Sequence, residues 1–322
     1  MNIGLKEAKS NKADEFYTQY EDIDKELRYY QNKFANKVVF CNCDNPKYSQ
    51  FWAYFHKNFQ VLHLKRLIAL YLDRNNQAIL WEYIGGNDTD LEDTTRVELH
   101  ESGDFRSDTS KRIMASCDIV VTNPPFSLFR EYILQLFEYN KDFLIIGNMN
   151  AITCKDVFPL LKNNQMWYGA SIHSGDRKFT VPNDYELNAA GCGVDEQGNS
   201  YIKVKGVRWF TNLDYDKRHD ALTLTKLYDV EYYPMYDNYA AINVNKYSEI
   251  PKDYTGIMGV PIAFMDFYCP DQFEIIGISA SWCETEEMRK LKVSNKYRHN
   301  PILKGKEMYR RVFIKRIMGD VE

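Results

Sequence analysis

Asn123-Pro124-Pro125-Phe126 is the stretch whose residue types and order could do chemistry. Two consecutive prolines fix two φ angles and remove two backbone donors. What remains is a pair of acceptors, the Asn123 side-chain oxygen and the Pro124 carbonyl, beside the aromatic face of Phe126. Two acceptors and a stacking ring are the groups needed to hold the exocyclic N6 amino group of an adenine. That nitrogen is a poor nucleophile because its lone pair is delocalised into the ring. Acceptors set tetrahedrally about its hydrogens favour the pyramidal nitrogen of a transition state and stabilise the positive charge that builds there. As a bare four-residue string the segment reads equally well as a strand stop, a Pro-Pro turn with an Asn cap.

The elements on either side separate the two readings. The string follows a short apolar strand candidate at 119–121 and precedes helical periodicity at Phe129, Tyr132, Ile133, Leu136 and Phe137. Residues 38–41, 67–72 and 143–146 are three more such runs, and helical spacing at Phe51, Trp52, Phe55 and Phe59 follows the first of them. Near-continuous rather than alternating apolarity indicates strands covered on both faces, as in parallel sheets. The β-α-β alternation predicts an α/β fold with a largely parallel sheet. Ligands in such sheets lie beyond the carboxyl ends of the strands. The residues there are Asn42-Cys43-Asp44, Asp73, the Asn123 loop and Gly147-Asn148, and this placement favours catalysis over a strand stop. Past about residue 175 the pattern breaks into polar loops and aromatic fragments such as Val207-Arg208-Trp209-Phe210. A soft boundary near 215 predicts a catalytic domain over 1–215 and a smaller region over 216–322.

A chain of 322 residues can bury one large core, or one catalytic domain with a smaller partner. Aromatics reach 15%, a content that both cores and base-stacking surfaces use. The net charge of −4 argues against a polycation that binds nucleic acid indiscriminately. Between residues 289 and 316, however, eleven basic residues face one acid, Glu307, and Arg298, Arg310 and Arg311 are candidate contacts to a phosphate backbone. A solvated face is the other reading of that run. Seven scattered cysteines, an odd number, fit reduced thiols. The lone Cys41-x-Cys43 pair has no second pair at zinc-ribbon spacing, so no metal site is expected. No apolar run approaches the roughly 20 residues needed to cross a bilayer, and no signal-type segment opens the chain, so a cytoplasmic protein is expected. A nuclease would need an Asp followed by Glu-x-Lys; the only Glu-x-Lys, Glu7-Ala8-Lys9, precedes every Asp.

The Asn-Pro-Pro-Phe loop resembles the catalytic motif of amino-group methyltransferases, and a longer set of segments resembles the EcoRI-type adenine-specific N6 DNA methyltransferases. These segments are Asp14-Glu15-Phe16-Tyr17-Thr18-Gln19-Tyr20, residues 37–44, Gly103-Asp104-Phe105-Arg106-Ser107, residues 118–132 and 143–151, and Tyr236-Asp237-Asn238-Tyr239 onward to Pro261. Together they cover most of the chain. The resemblance implies a Rossmann-like fold dependent on S-adenosylmethionine, with a mostly parallel seven-stranded sheet holding one antiparallel strand, and a C-terminal target-recognition region. It implies methyl transfer to N6 of an adenine flipped out of double-stranded DNA, by an enzyme of restriction-modification type acting as a monomer without an obligate protein partner. It also implies roles: Asn123, Pro124, Pro125 and Phe126 in catalysis; Phe16 and Tyr17 flanking the methionine end of the cofactor; Asn42 and Asp44 beneath it. Asp104 and Phe105 would meet its adenine, and Asp73 its ribose. GAATTC is the recognition site that the resemblance suggests. One departure stands out, because Cys41-Asn42-Cys43-Asp44-Asn45-Pro46 lacks the Gly-rich loop usual after the first strand. Enzymes that methylate RNA guanine or protein glutamine share the Asn-Pro-Pro-aromatic loop, and a catalytically silent DNA-binding module is a further alternative. The C-terminal third, rich in the Arg, Lys and Asn used in major-groove recognition, favours duplex DNA.

Overall fold

The computed structural model describes residues 16–73, 77–88, 90–181, 191–293 and 299–317. Arg298 and the Asp14-Glu15 pair lie outside them. The chain divides into two compact units, Met1–Ala151 with Trp167–Asp214, and Ile152–Met166 with Tyr215–Glu322.

The first unit opens with β1 (Tyr17–Thr18), followed by the helix Tyr20–Leu27 and β2 (Val38–Asn42). The helix Gln50–Lys57 leads to β3 (Arg66–Leu72), β4 (Ala78–Tyr83) and β5 (Thr95–Leu99). The helix Asp108–Ser116 precedes β6 (Ile119–Thr122), and the helix Phe129–Glu138 precedes β7 (Asp142–Asn148). After these come β8 (Trp167–Tyr168), β9 (Asp176–Thr180), β10 (Gly193–Val194), β11 (Ser200–Lys205) and β12 (Val207–Thr211).

The main sheet has the order β5-β4-β3-β2-β6-β7-β12-β8. The four apolar runs read from sequence are β2, β3, β6 and β7, its parallel centre. Every residue of β2 and β6 is buried, as strands covered on both faces require. The expectation of seven strands with one antiparallel is corrected: among the described residues there are eight, and β4 and β12 run against the other six. β4 is there because the chain reverses within a few residues of β3. Asp73 N donates to Gln77 O at 2.9 Å and Gln77 N to Asp73 Oδ1 at 2.7 Å. A connection that short joins antiparallel strands only, whereas parallel neighbours need a crossover of a dozen or more residues.

Aromatic side chains fill the layers against this sheet. Phe51 meets Trp209 at 5.8 Å between ring centres, Phe34 meets Phe55 at 5.1 Å, and Phe129 meets Phe210 at 4.8 Å. Much of the aromatic content is therefore core. A smaller sheet of the same unit, β1-β9-β11-β10, is antiparallel throughout and holds Tyr17 opposite Thr180.

The second unit carries β13 (Ile242–Asn243), β14 (Met258–Pro261), β15 (Phe273–Ile278), β16 (Ile302–Leu303), β17 (Lys306–Glu307) and β18 (Arg311–Arg316). Its sheet has the order β13-β14-β18-β15, and β16 and β17 form a separate two-stranded hairpin. Among the described residues no helix is long and apolar enough to cross a membrane.

Candidate active site

β6 ends at Thr122, and the next four residues form the loop singled out by sequence, closing into a 3-10 turn at Phe126–Leu128. Asn123 Nδ2 donates to the Phe16 carbonyl at 2.7 Å. A carbonyl only accepts, so this bond fixes which end of the amide is nitrogen. Among the described residues, Asn123 Oδ1 is left buried with no hydrogen-bond partner. A buried acceptor without a donor costs about 1–3 kcal/mol, which marks a position where a ligand donor belongs. The Pro125 carbonyl is used by the turn, accepting from Leu128 N at 2.9 Å.

Around this loop stand three phenyl rings. Phe126 lies edge-on to Phe16 at 5.8 Å and to Phe179 at 6.1 Å, and Phe16 and Phe179 are 6.1 Å apart. Pairing of β1 with β9 carries both Phe16 and Phe179 to the loop. Phe179, on β9, had no signal in the sequence, where its neighbours are polar.

The carboxyl end of β2 lies beside the same loop. Asp44 is buried; its Oδ1 accepts from Ser49 Oγ at 2.6 Å, and its Oδ2 lies 2.6 Å from Thr122 Oγ1. Thr122 Oγ1 also reaches the Asn42 carbonyl. A hydroxyl has one hydrogen to give. Both contacts of Thr122 are hydrogen bonds when Asp44 is protonated, donating to Thr122 Oγ1 while Thr122 donates to Asn42. Burial pushes the Asp44 carboxyl up to about 7, against the opposing pull of the Ser49 and Thr122 hydroxyls. Ser49 in turn caps the helix Gln50–Lys57, accepting from Phe51 N at 3.2 Å.

The missing glycine of this turn is replaced by Cys43, a non-glycine residue at φ 67°. Its amide donates to Asn42 Oδ1 at 3.1 Å, and Asn42 Nδ2 donates to Ser110 Oγ at 3.1 Å. Asn42, expected beneath the cofactor, thus uses both ends of its buried amide to hold the turn and the helix Asp108–Ser116. The Cys43 thiol is pushed up by burial and then by the carboxylates of Asp44 and Asp104. A glycine lets the Asp104 loop come close to β3: a Cβ on Gly103 would stand 2.9 Å from the Tyr71 carbonyl at the end of β3.

The sequence model of the family described as "Adenine-specific methyltransferase EcoRI" matches residues 4–317. The chain belongs to this EcoRI family of adenine-specific methyltransferases. Relatives extend over nearly its whole length. It is 47% identical over 286 residues to the Type II methyltransferase M.EcoRI of Escherichia coli, covering 84% of this chain and 88% of that protein. It is 36% identical over 315 residues to M.MgeORF184P of Mycoplasma genitalium, covering 96% of this chain and 97% of the relative. Identity is also 36% to M.MpnI of Mycoplasma pneumoniae, over 314 residues and 96% of both chains.

In this EcoRI-family chain several other expected site residues are already engaged by neighbours. Asp104 is gripped by Arg106, whose Nε donates at 2.8 Å to Oδ1 and whose Nη2 donates at 2.7 Å to Oδ2. The Arg106 guanidinium holds the Asp104 carboxyl below its usual range. Phe105 is buried edge-on to Tyr132 at 5.0 Å, with the Arg106 guanidinium 5.2 Å from its ring centre. Asp73 follows β3, and its side chain closes the turn to Gln77. Tyr17 lies 6.1 Å from Tyr48, on the loop that follows Asp44.

The three arginines expected at DNA do not share one placement. Arg310 is half-buried and precedes β18, and Arg298 is outside the described residues. Arg311 is buried in β18, with only 7% of its surface exposed.

Proposed function

We propose that the chain is a site-specific methyltransferase that moves a methyl group from S-adenosylmethionine to N6 of an adenine swung out of duplex DNA. The observation that carries this reading is the Asn123 amide, pinned through its nitrogen to Phe16 with its oxygen buried and unpartnered among the described residues. Asn123 Oδ1 would accept one N6 hydrogen and the Pro124 carbonyl the other, with the Phe126 face on the base. As the N6–C bond forms, the two acceptors stabilise the charge growing on nitrogen. The neutral Asn123 amide takes up no proton, so one N6 proton leaves to solvent after transfer. A stacked base keeps N6 among its neighbours, which is why the adenine must leave the helix.

The strand-end residues fit the cofactor, which supplies a methyl group on a positively charged sulfur. Two carboxyl groups, Asp44 and Asp104, act on the Cys43 thiol there. Phe16 and Tyr17 would flank its methionine end, Asp44 would lie beneath it with Asn42 holding the turn, Asp104 and Phe105 would meet its adenine, and Asp73 its ribose. Asp104 can still accept through Oδ2, which has a second lone pair beyond its bond to Arg106 Nη2, whereas Oδ1 already accepts from Arg106 N and Nε. Three relatives named Type II methyltransferases support duplex DNA over tRNA or peptide as acceptor. In this reading the unit of Met1–Ala151 and Trp167–Asp214 catalyses, the other unit reads DNA through cations such as Arg310 and Arg298, and the enzyme acts as a monomer.

Labelled methyl groups should enter duplex DNA and neither tRNA nor peptide. In single-turnover assays Asn123→Ala should lower the rate by roughly two or more orders of magnitude. Asn123→Asp keeps an acceptor but loses the donor to Phe16, so its activity should fall between Ala and wild type. A near wild-type rate for Asn123→Ala would end this assignment.

A further inference from the structure

The Tyr236-Asp237-Asn238-Tyr239 segment belongs to the family-like sequence, yet it lies in the second unit and takes no part in the site above. Its side chains and backbone converge on one short piece of chain. Asp237 N donates to Ile302 O at 2.7 Å, and Asp237 Oδ2 accepts from Gly305 N at 2.8 Å. Asn238, buried, accepts from Ile302 N at 2.8 Å and donates to Asn300 O at 3.0 Å. Tyr239 OH donates to His299 O at 2.6 Å. Five hydrogen bonds from three consecutive residues thus hold the hairpin of β16 and β17.

The hairpin is a two-residue turn with Lys304 at φ 48° and Gly305 at φ 74°. Two positive φ values match the twist of the flanking strands, and glycine at the second supplies one without strain. Lys304, Gly305 and Lys306 are exposed, and neither lysine has an ion-pair partner among the described residues. The one acid of the hairpin, Glu307, accepts from Asn300 Nδ2 at 2.8 Å, at the base rather than the tip. Just beyond it Tyr309 is 87% exposed.

Ordering a backbone costs conformational entropy, and this tip returns nothing to the core, since it is in water. A rigid two-stranded ribbon with a cationic tip and a projecting aromatic ring has the size of an element that fits the major groove of B-DNA. We propose that this hairpin is a DNA-contacting ribbon, with Lys304 and Lys306 on phosphates and Tyr309 packed against the groove wall. Asp237 and Asn238 are its positioning residues. The inference rests on duplex DNA being the substrate.

Lys304→Ala/Lys306→Ala, changed together at exposed positions, should weaken duplex binding about tenfold near 0.15 M salt and lower the salt slope by about 2. Cofactor affinity and the rate at saturating DNA should hold. Tyr309→Ala should weaken binding with an unchanged salt slope. Asp237→Ala gives a test of opposite sign. Removing an acid near DNA tightens binding on charge alone, whereas loosening the Gly305 turn weakens it, and weakening is expected here. Unchanged affinity and slope in the lysine pair, or tighter binding by Asp237→Ala, would overturn the ribbon while leaving methylation of DNA by the wild type intact. Wild-type enzyme that neither binds nor methylates duplex DNA would overturn both readings.

Discussion

Asp44 shows how one buried group sets behaviour that the loop motif does not reveal. It faces the Ser49 and Thr122 hydroxyls, the Cys41 and Cys43 thiols and the Tyr132 phenol, and no cation among the described residues contributes to its shift. Its folded pKa of about 7 exceeds the ordinary value near 4, so the fold binds this proton more tightly than the unfolded chain does. The stability it contributes is therefore complete below about pH 4 and is lost as pH rises through about 7. Asp44→Asn keeps an acceptor for Ser49 and a donor for Thr122 without the titration. Thermal melts from pH 5 to 8 should show the variant gaining on wild type as pH rises. Parallel curves would mean that Asp44 is ionised throughout. The one-hydrogen argument at Thr122 was invisible in sequence, because nothing in the order of residues says that Asp44 and Thr122 meet.

At the scale of elements, the placement of the candidate loop depends on a glycine in the neighbouring strand. Gly147 lies in β7, and a Cβ there would come closer than 3.0 Å to the Phe129 ring, which starts the helix after the loop. The ring cannot yield freely, since Phe210 packs on it at 4.8 Å. Gly147→Ala should cost about 1–3 kcal/mol of stability by overpacking. It should also lower kcat more than it raises KM, by shifting Phe126. Phe129→Leu in the same chain should restore much of the melting temperature, and failure of that rescue would show that the strain lies elsewhere. The central strands and both flanking helices were legible because continuous apolar runs and helical spacing are local signals. β4 was not, since its alternately buried Ala78–Tyr83 resembles a surface segment until the reversal at Asp73 and Gln77 lays it against β3.

Across the whole molecule, the candidate site draws on segments far apart in the chain yet within one compact unit: Phe16–Tyr17, the β2 end, the Asp104 loop, Asn123–Phe126 and Phe179. Cofactor at about 100 times its Kd should stabilise the protein by about 2.7 kcal/mol. Amide exchange should slow together around residues 16–18, 42–44, 103–106 and 122–126, and stay unchanged at Glu82 and Tyr83 of β4 and Thr95 of β5, which pair away from the carboxyl end of β3. Protection confined to a single segment would contradict a shared pocket. The net charge of −4 conceals the basic stretch in the second unit, of which Arg311 is buried and Lys304 and Lys306 face water.

The sequence by itself determined the α/β class and the family and singled out the Asn123 loop as a candidate site, because each rests on residues adjacent in the chain. Type and spacing suffice for strand ends, a Pro-Pro turn and a motif. Tertiary structure decided which polar atoms are already used. Asn42 and Asp104 carry the right chemistry in sequence, but folding commits the amide of the first to Cys43 and Ser110 and pairs the carboxylate of the second with Arg106. It also decided that Asn123 Oδ1 stays unpartnered among the described residues, because the carbonyl that holds its nitrogen comes from Phe16, more than a hundred residues earlier. Hydrogen bonds are satisfied by whatever comes near in space, and that proximity is set by packing the whole unit.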